Sequence, residues 1–253
     1  IITLNEAGNI RAACESVGWA DEILVVDSES TDDTREIALD CGARVLVHPW
    51  AGFSGQKQIA VDNAQHDWIF SLDADERVSP ELQSAIAAVR QQPADQLAAG
   101  YRVARRAFYM NRWIRGGGWY PDYQLRLFNR ARGHWRHRVI HESVVMEEGA
   151  RVETLRGDLR HYSMPDPEYH KRMIEERYAP LGAEQMLRDG KRTSALQSAV
   201  AGPAAFIRSF VLKGGFRDGR AGFTIARMAA YHASLKHSLL SKLQTGEPSA
   251  PSP

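Results

Sequence analysis

Four short apolar runs constrain this chain most: Ile1–Leu4, Glu22–Asp27, Ala43–Val47 and Trp68–Asp73. Between them lie Ala7–Val17, Asp32–Cys41 and Ser54–Ala64, which carry helical patterns. Buried strands alternating with helices at this spacing predict an α/β fold with a parallel, doubly wound sheet. Pro80–Gln91 continues as a helix, with Ser79 as N-cap and Pro80 at its first position. Gly100–Arg106 and Gln124–Asn129 are candidate later strands. From Pro167 the pattern turns helical, with Pro203 and Gly214-Gly215 as breaks. The expected organisation is a catalytic-type domain over residues 1–165, a helical extension over 166–244 and a disordered tail over 245–253.

In an open parallel sheet, ligands bind beyond the carboxyl ends of the strands. Polar groups collect at those ends here. The first run is followed by Asn5-Glu6, the second ends in Asp27-Ser28, and the fourth ends in Asp73-Ala74-Asp75. Asp73 and Asp75, two positions apart after a strand, can reach one divalent cation. Mg²⁺ or Mn²⁺ suits oxygen ligands and shares them with phosphates, so such an ion can neutralise a departing diphosphate. A solvated acidic turn is the alternative. Glu76 reads either as support for the ion or as the first acid before the next helix. Asp27 can accept from a base N–H or a ribose hydroxyl, and Thr3, Asn5 and Glu6 can line the same nucleotide. Asp32 either caps the following helix or touches the ligand. Lys57 opens a helix after a Gly-bearing loop, where acids are the usual preference. A bound phosphate would explain that cation, and a solvated lysine is the alternative.

An apolar fraction of 43% and a charged fraction of 25% are those of a globular protein and exclude a disordered or collagen-like chain. The formal net charge of +1 hides asymmetry: Tyr101–Ile140 holds ten Arg and one acid, Asp122. Gly202–Leu243 holds seven Lys or Arg and one acid, Asp218. Such surfaces suit anionic partners. Cys14 and Cys41 read as reduced thiols in a cytosolic setting. No apolar run is expected to reach the length of a membrane span. Ile1–Leu4 reads as the end of a strand and not as a signal peptide, so the natural chain is expected to start a few residues earlier.

Thr3-Leu-Asn-Glu6, Val25-Val-Asp-Ser28, Gln56-Lys57 and Ser71-Leu-Asp-Ala-Asp-Glu76, in this order, resemble the family-2 glycosyltransferases of the GT-A fold. Trp113–Asp122, Leu125–Phe128, His141-Glu142, His161-Tyr-Ser163 and Gly215–Gly219 narrow the likeness to bacterial lipopolysaccharide core-biosynthesis glucosyltransferases. The resemblance implies a GT-A domain with a mostly parallel central sheet. It implies that Asp27 contacts uridine, that Asp75 is the main metal ligand, and that Asp73 supports the ribose or the metal. It assigns Thr3, Asn5, Glu6 and Lys57 to the nucleotide. Asp122, before a Leu-rich strand, stands where family members carry the general base; the alternative is an ion pair with a surrounding arginine such as Arg115 or Arg126. Some GT-A enzymes use a late His as a further metal ligand, a place that His141 fits; a structural histidine is the alternative. His161 reads as packing with Tyr162. Glu29 stands where family members often have Gly, which bears on that turn, and Gln58 replaces the usual Asn.

The implied reaction is inverting transfer of a hexose, glucose by the resemblance, from a UDP-sugar to the inner core of lipopolysaccharide. The alternative acceptor is a polyprenyl phosphate or another cell-envelope glycan. Gly116–Gly118 suggests a mobile acceptor loop, with Trp113, Trp119 and Tyr120 as sugar-stacking candidates; core packing of these aromatics is the alternative. The expected place is the cytoplasm, peripheral on the inner face of the membrane, with no nucleic acid as partner. Phe206, Ile207, Phe210 and Val211, then Phe223, Ile225, Met228, Ala229 and Tyr231, recur at helical spacing. These stripes either meet the membrane surface or pack as core or dimer. A pyrophosphorylase would open instead with a Gly-rich loop carrying Arg and Lys. A non-catalytic binding module would not need Asp75. Oligomeric state is not encoded legibly.

Overall fold

The computed structural model describes residues 1–136, 143–162 and 164–245. The chain forms two compact units: residues 1–105 with 122–161, and 106–121 with 162–253.

In the first unit β1 (Ile2–Thr3), α1 (Ile10–Ser16), β2 (Leu24–Asp27), α2 (Thr34–Asp40), β3 (Arg44–Val47) and α3 (Phe53–Asn63) alternate as the apolar runs predict. β2 lies between β1 and β3, both pairs parallel, with Thr3 opposite Asp27. β2 is buried along its whole length, which is why it reads as an unbroken apolar run. β4 (Trp68–Phe70), β5 (Glu76–Val78) and α4 (Pro80–Arg90) follow. The predicted cap of α4 forms, with Ser79 Oγ accepting from Leu82 N (3.2 Å).

The parallel order extends from β3 to β1 and, through a single bridge between Ile2 and Asp73, to the end of the fourth run. Beyond it the direction changes. A second sheet has the order β4-β8-β6-β11-β5, formed with β6 (Gly100–Tyr109), β8 (Asp122–Asn129) and β11 (Val152–His161). The β4–β8, β6–β8 and β5–β11 pairs are antiparallel. Between β6 and β8 comes the short β7 (Arg112–Trp113), and before β11 come β9 (Gly133–Arg136) and β10 (Ser143–Met146), an antiparallel pair. Leu72, Leu82, Ile86, Tyr101, Val103 and Leu159 centre the core between this sheet and α4. β11 passes so close to α4 that a Cβ on Gly157 would lie 2.3 Å from Leu82 N, and its φ of 93° also suits only glycine.

The second unit is helical apart from β7, which pairs with the end of β6 at Phe108 and Tyr109. α5 (Pro167–Met173) runs through a π-turn at Ile174–Tyr178 into α6 (Ala179–Arg188). α7 (Ala195–Ile207) opens with a capping box of Ser194 and Gln197, and α8 (Gly219–Thr245) closes the described chain. Tyr109, Ile114, Ala221 and Ile225 form its core. Pro203 sits inside α7 and does not break it. The helix ends after a further π-turn, Arg208–Leu212, where Gly214 turns left-handed (φ 67°). Contrary to the sequence expectation, one stretch, Ala195–Leu212, is long and apolar enough to cross a membrane by length and composition, with mean hydropathy 1.3. Residues 246–253 of the expected tail lie outside the described residues.

Candidate active site

Strand register brings the sequence-selected groups of the first unit to one edge. Asp27 ends β2 beside Thr3, and Asp73 sits beside Ile2 on the other side of β1. The loops after β1 and β2 are stitched together by side chains. Asn5 N donates to Ser30 Oγ (2.8 Å), Glu6 N to Thr34 Oγ1 (2.8 Å) and Ala7 N to Asp32 Oδ2 (3.1 Å). Thr31 N donates to Asn5 Oδ1 (2.8 Å). Asp32 also accepts from Thr34 N (3.1 Å), so it serves the turn before α2. Its bond from the Thr34 hydroxyl holds its carboxyl below the ordinary range.

Asp27 is fully buried and accepts from Ser30 N (2.9 Å) and from the Ser30 hydroxyl, with Arg35 Nε 3.9 Å away. It therefore shapes the loop. Thr3 Oγ1 and Ser28 Oγ, buried beside it, have no hydrogen-bond partner among the described residues. Orphaned buried hydroxyls point to a polar ligand.

The two acids of Asp73-Ala-Asp75 have different surroundings. Lys57 Nζ lies 2.9 Å from Asp73 Oδ1, and Arg126 Nη2 donates to Asp73 Oδ2 (3.0 Å) and to Glu76 Oε1 (2.6 Å). Burial alone would raise the Asp73 carboxyl; Lys57 and Arg126 overcome it and hold the group well below the usual carboxylate range. Lys57 is itself buried and lies 4.9 Å from the Trp135 ring centroid. Glu76 is buried and accepts from Asp73 N (3.0 Å), closing the turn between the two acids. Asp75 instead lies 3.3 Å from His161 Nε2. The β5–β11 register makes this pair, because His161 stands opposite Glu76. Burial raises the Glu6 carboxyl; a hydrogen bond from Asn9 opposes this, and the charges of Asp75 and Asp32 add to it. The edge around Asp75 is thus negative and carries an imidazole.

His161 was not legible as a site residue. It faces Asp75, while Tyr162 packs on Phe108 (5.5 Å between centroids) and Trp113 (5.4 Å) in the second unit. Arg105 and Arg126 reach this edge through strand register, which the sequence pattern does not give. His141 lies outside the described residues. Among the described residues no three His, Cys, Asp or Glu side chains converge as a metal cluster. Asp75 and His161 alone suit a divalent cation whose remaining ligands are phosphate oxygens and water.

The ion-pair partner of Asp122 is Arg105, not Arg115 or Arg126. Arg105 Nε and Nη2 donate to Asp122 Oδ2 (2.9 and 2.8 Å), and Gln124 Nε2 donates to Oδ1 (2.7 Å). Arg105 and Asp122 are direct partners in the β6–β8 register. Arg105 also comes within 3.6 Å of Glu76, so ion pairs run from Asp122 through Arg105, Glu76 and Arg126 to Asp73. A cavity of about 510 Å³ lies elsewhere, at the amino ends of the strands among Trp19, Ile23, Trp68 and Phe70. Its lining is mostly apolar, with the acids Asp21, Glu22 and Asp67 beside Lys57 and Arg90.

In the second unit the Gly116–Gly118 loop is pinned. Buried Asp218 accepts from Arg115 N (3.0 Å) and Gly116 N (2.8 Å), and Gly117 N donates to Lys213 O (2.9 Å). A Cβ on Gly116 would lie 2.4 Å from Gly214 O, so this glycine serves close packing and not mobility. Trp113 packs on Phe108 (4.9 Å), and Trp119 packs on Tyr109 (5.4 Å) and His170 (5.4 Å).

The family model described as Glycosyl transferase family 2 matches residues 1–151. The chain is 32% identical over 246 residues to the lipopolysaccharide core biosynthesis glycosyltransferase LpsC of Rhizobium meliloti, covering 93% of this chain and 88% of that protein. An uncharacterized glycosyltransferase of Rickettsia bellii is 31% identical over 255 residues, covering 96% of this chain and 85% of its own length. A crystal structure of S. aureus TarS aligns over 97% of this chain and 90% of that one, at 13% identity and a TM-score of 0.46. On the family match and the identity to LpsC, this chain belongs to glycosyl transferase family 2 and is a glycosyltransferase with a GT-A α/β fold.

Proposed function

We propose that the protein transfers a hexose, glucose by the resemblance, from a UDP-sugar to the inner core of lipopolysaccharide with inversion. It would work in the cytoplasm at the inner face of the membrane. The observation that carries the reading is the pair of Asp75 and His161 on the strand edge shared by Thr3 and Asp27. A divalent cation held there would offset the charge of the departing diphosphate. Thr3 and Ser28 offer hydroxyls to the nucleotide, and Asn5, Glu6 and Asp27 hold the loops that present them. Lys57 and Arg126 keep Asp73 ionised and oriented, and Lys57 is the cation offered to a phosphate oxygen. Asp122, fixed at both oxygens by Arg105 and Gln124, takes the proton of the attacking acceptor hydroxyl. That oxygen bonds to the anomeric carbon as the bond to the diphosphate breaks, and one displacement inverts the centre. The likeness to LpsC supports a core glycolipid acceptor.

A donor screen with the purified chain tests this. UDP-glucose should be hydrolysed in a metal-dependent manner in preference to UDP-galactose, GDP-mannose and ADP-heptose. Asp75→Ala should abolish the activity. A preference for ADP-heptose would overturn the donor and leave the fold intact.

A further inference from the structure

We infer that the turn joining α7 to α8, with the outer face of α7, docks in the plane of an anionic bilayer. Leu196, Val200, Ile207 and Val211 form an exposed stripe along one continuous helix, and Leu212 and Phe216 extend it around the turn. Leu212 is 76% exposed, whereas Phe206, Phe210 and Phe223 pack on one another (centroids 5.5–5.9 Å). The window Ala195–Leu212 is only 11% buried, whereas the core helix of a soluble domain buries most of such a stretch. Arg208, Lys213, Arg217 and Arg220 are exposed around the same turn. From Ala195 to Thr245 the one acid is Asp218, and it is fully buried against Arg115 N and Gly116 N. The exposed charge of this hairpin is therefore all positive.

An apolar edge ringed by cations, with no exposed acid within residues 195–245, matches acyl chains beneath anionic headgroups. A second copy of the chain fits poorly, because a two-fold interface would set these cations against themselves. Spanning fits poorly too. α8 lies so close that a Cβ on Gly202 would come within 2.3 Å of Ser234 Oγ, and α8 would carry Arg227 and Lys236 into hydrocarbon. Lying in the interface leaves those charges in water.

Flotation of the full chain with vesicles tests the surface. Vesicles of phosphatidylcholine and phosphatidylglycerol in equal parts should bind about tenfold or more protein than phosphatidylcholine alone, with the preference falling at high salt. Leu212→Glu with Phe216→Glu should lower binding to the mixed vesicles about tenfold. Arg208→Glu with Lys213→Glu should abolish the anionic preference. All four positions are exposed, so the variants should fold, which circular dichroism checks. No flotation, equal binding to both vesicles, variants that bind like the parent, or a dimer that the Leu212/Phe216 variant merely dissociates would each overturn the inference. Binding requires neither donor nor metal, so a chain that hydrolyses UDP-glucose but ignores vesicles sinks this inference alone.

Discussion

Glu29 holds φ at 64°, in the left-handed region, where a Cβ crowds the backbone at roughly 1–2 kcal/mol. It follows Ser28 in the loop that presents the orphaned hydroxyls, at the position where the family often has glycine. Glu29→Gly should relieve that crowding. Part of the gain is offset by the greater freedom of glycine in the unfolded chain, leaving a stabilisation of about 0.5–1 kcal/mol. Chemical denaturation of the two proteins measures it, and a less stable variant would show that Glu29 makes a compensating contact. Asp73 is the contrasting residue. Its carboxylate is held between two cations that are themselves almost fully buried, so it is ionised and fixed. Asp75, two positions on, is left to face His161.

At the scale of elements, register does the positioning. Pairing of β6 with β8 sets Arg105 opposite Asp122, and pairing of β5 with β11 sets His161 opposite Glu76. Asp122→Asn should lower kcat by about 10²–10⁴-fold with little change in UDP affinity. Arg105→Lys keeps the charge but loses the two donors on one oxygen, so it should lower kcat about tenfold while the donor KM stays unchanged. A matching rise in donor KM would contradict a role confined to the base. The same elements show what could be read from the chain. β2 and the ends of β1 and the fourth run were legible because buried parallel strands are unbroken apolar runs and their polar ends must lie together. β11 was hidden because Val-Glu-Thr-Leu-Arg-Gly-Asp-Leu-Arg-His is partly exposed along most of its length. With β11 unseen, His161 had no strand to place it beside Asp75. Asp218 was equally opaque, since its backbone partners lie 102 and 103 residues away in sequence.

For the molecule as a whole, acid should act first on the helical unit. Burial lowers His170 to about 4, with nearby His232 adding to it, and His170 Nδ1 lies 3.3 Å from Tyr109 Oη. Burial also lowers His232 and His237, with Lys236 adding to each. The unfolded chain protonates His170 near 6.5 while the folded ring resists down to about 4. Stability therefore rises with pH across that window and is lost as pH falls through it, by about 3 kcal/mol for His170 alone. Trp119, in contact with His170, reports the change, and melting followed by tryptophan fluorescence should show Tm falling from pH 7 to 4.5. His170→Phe should remove most of that slope; a slope left unchanged would assign it to other groups. In the first unit, residues from β1, β2, the Asp73–Asp75 turn and β11 converge on one edge, and the catalytic reading rests on that edge holding a cation with a nucleotide. Calorimetric titration of UDP with and without Mn²⁺ tests this most directly. The cation should tighten UDP binding about tenfold or more in the parent, and the gain should vanish in Asp75→Asn and shrink in His161→Ala. An affinity indifferent to Mn²⁺, or a full gain retained by Asp75→Asn, would contradict it.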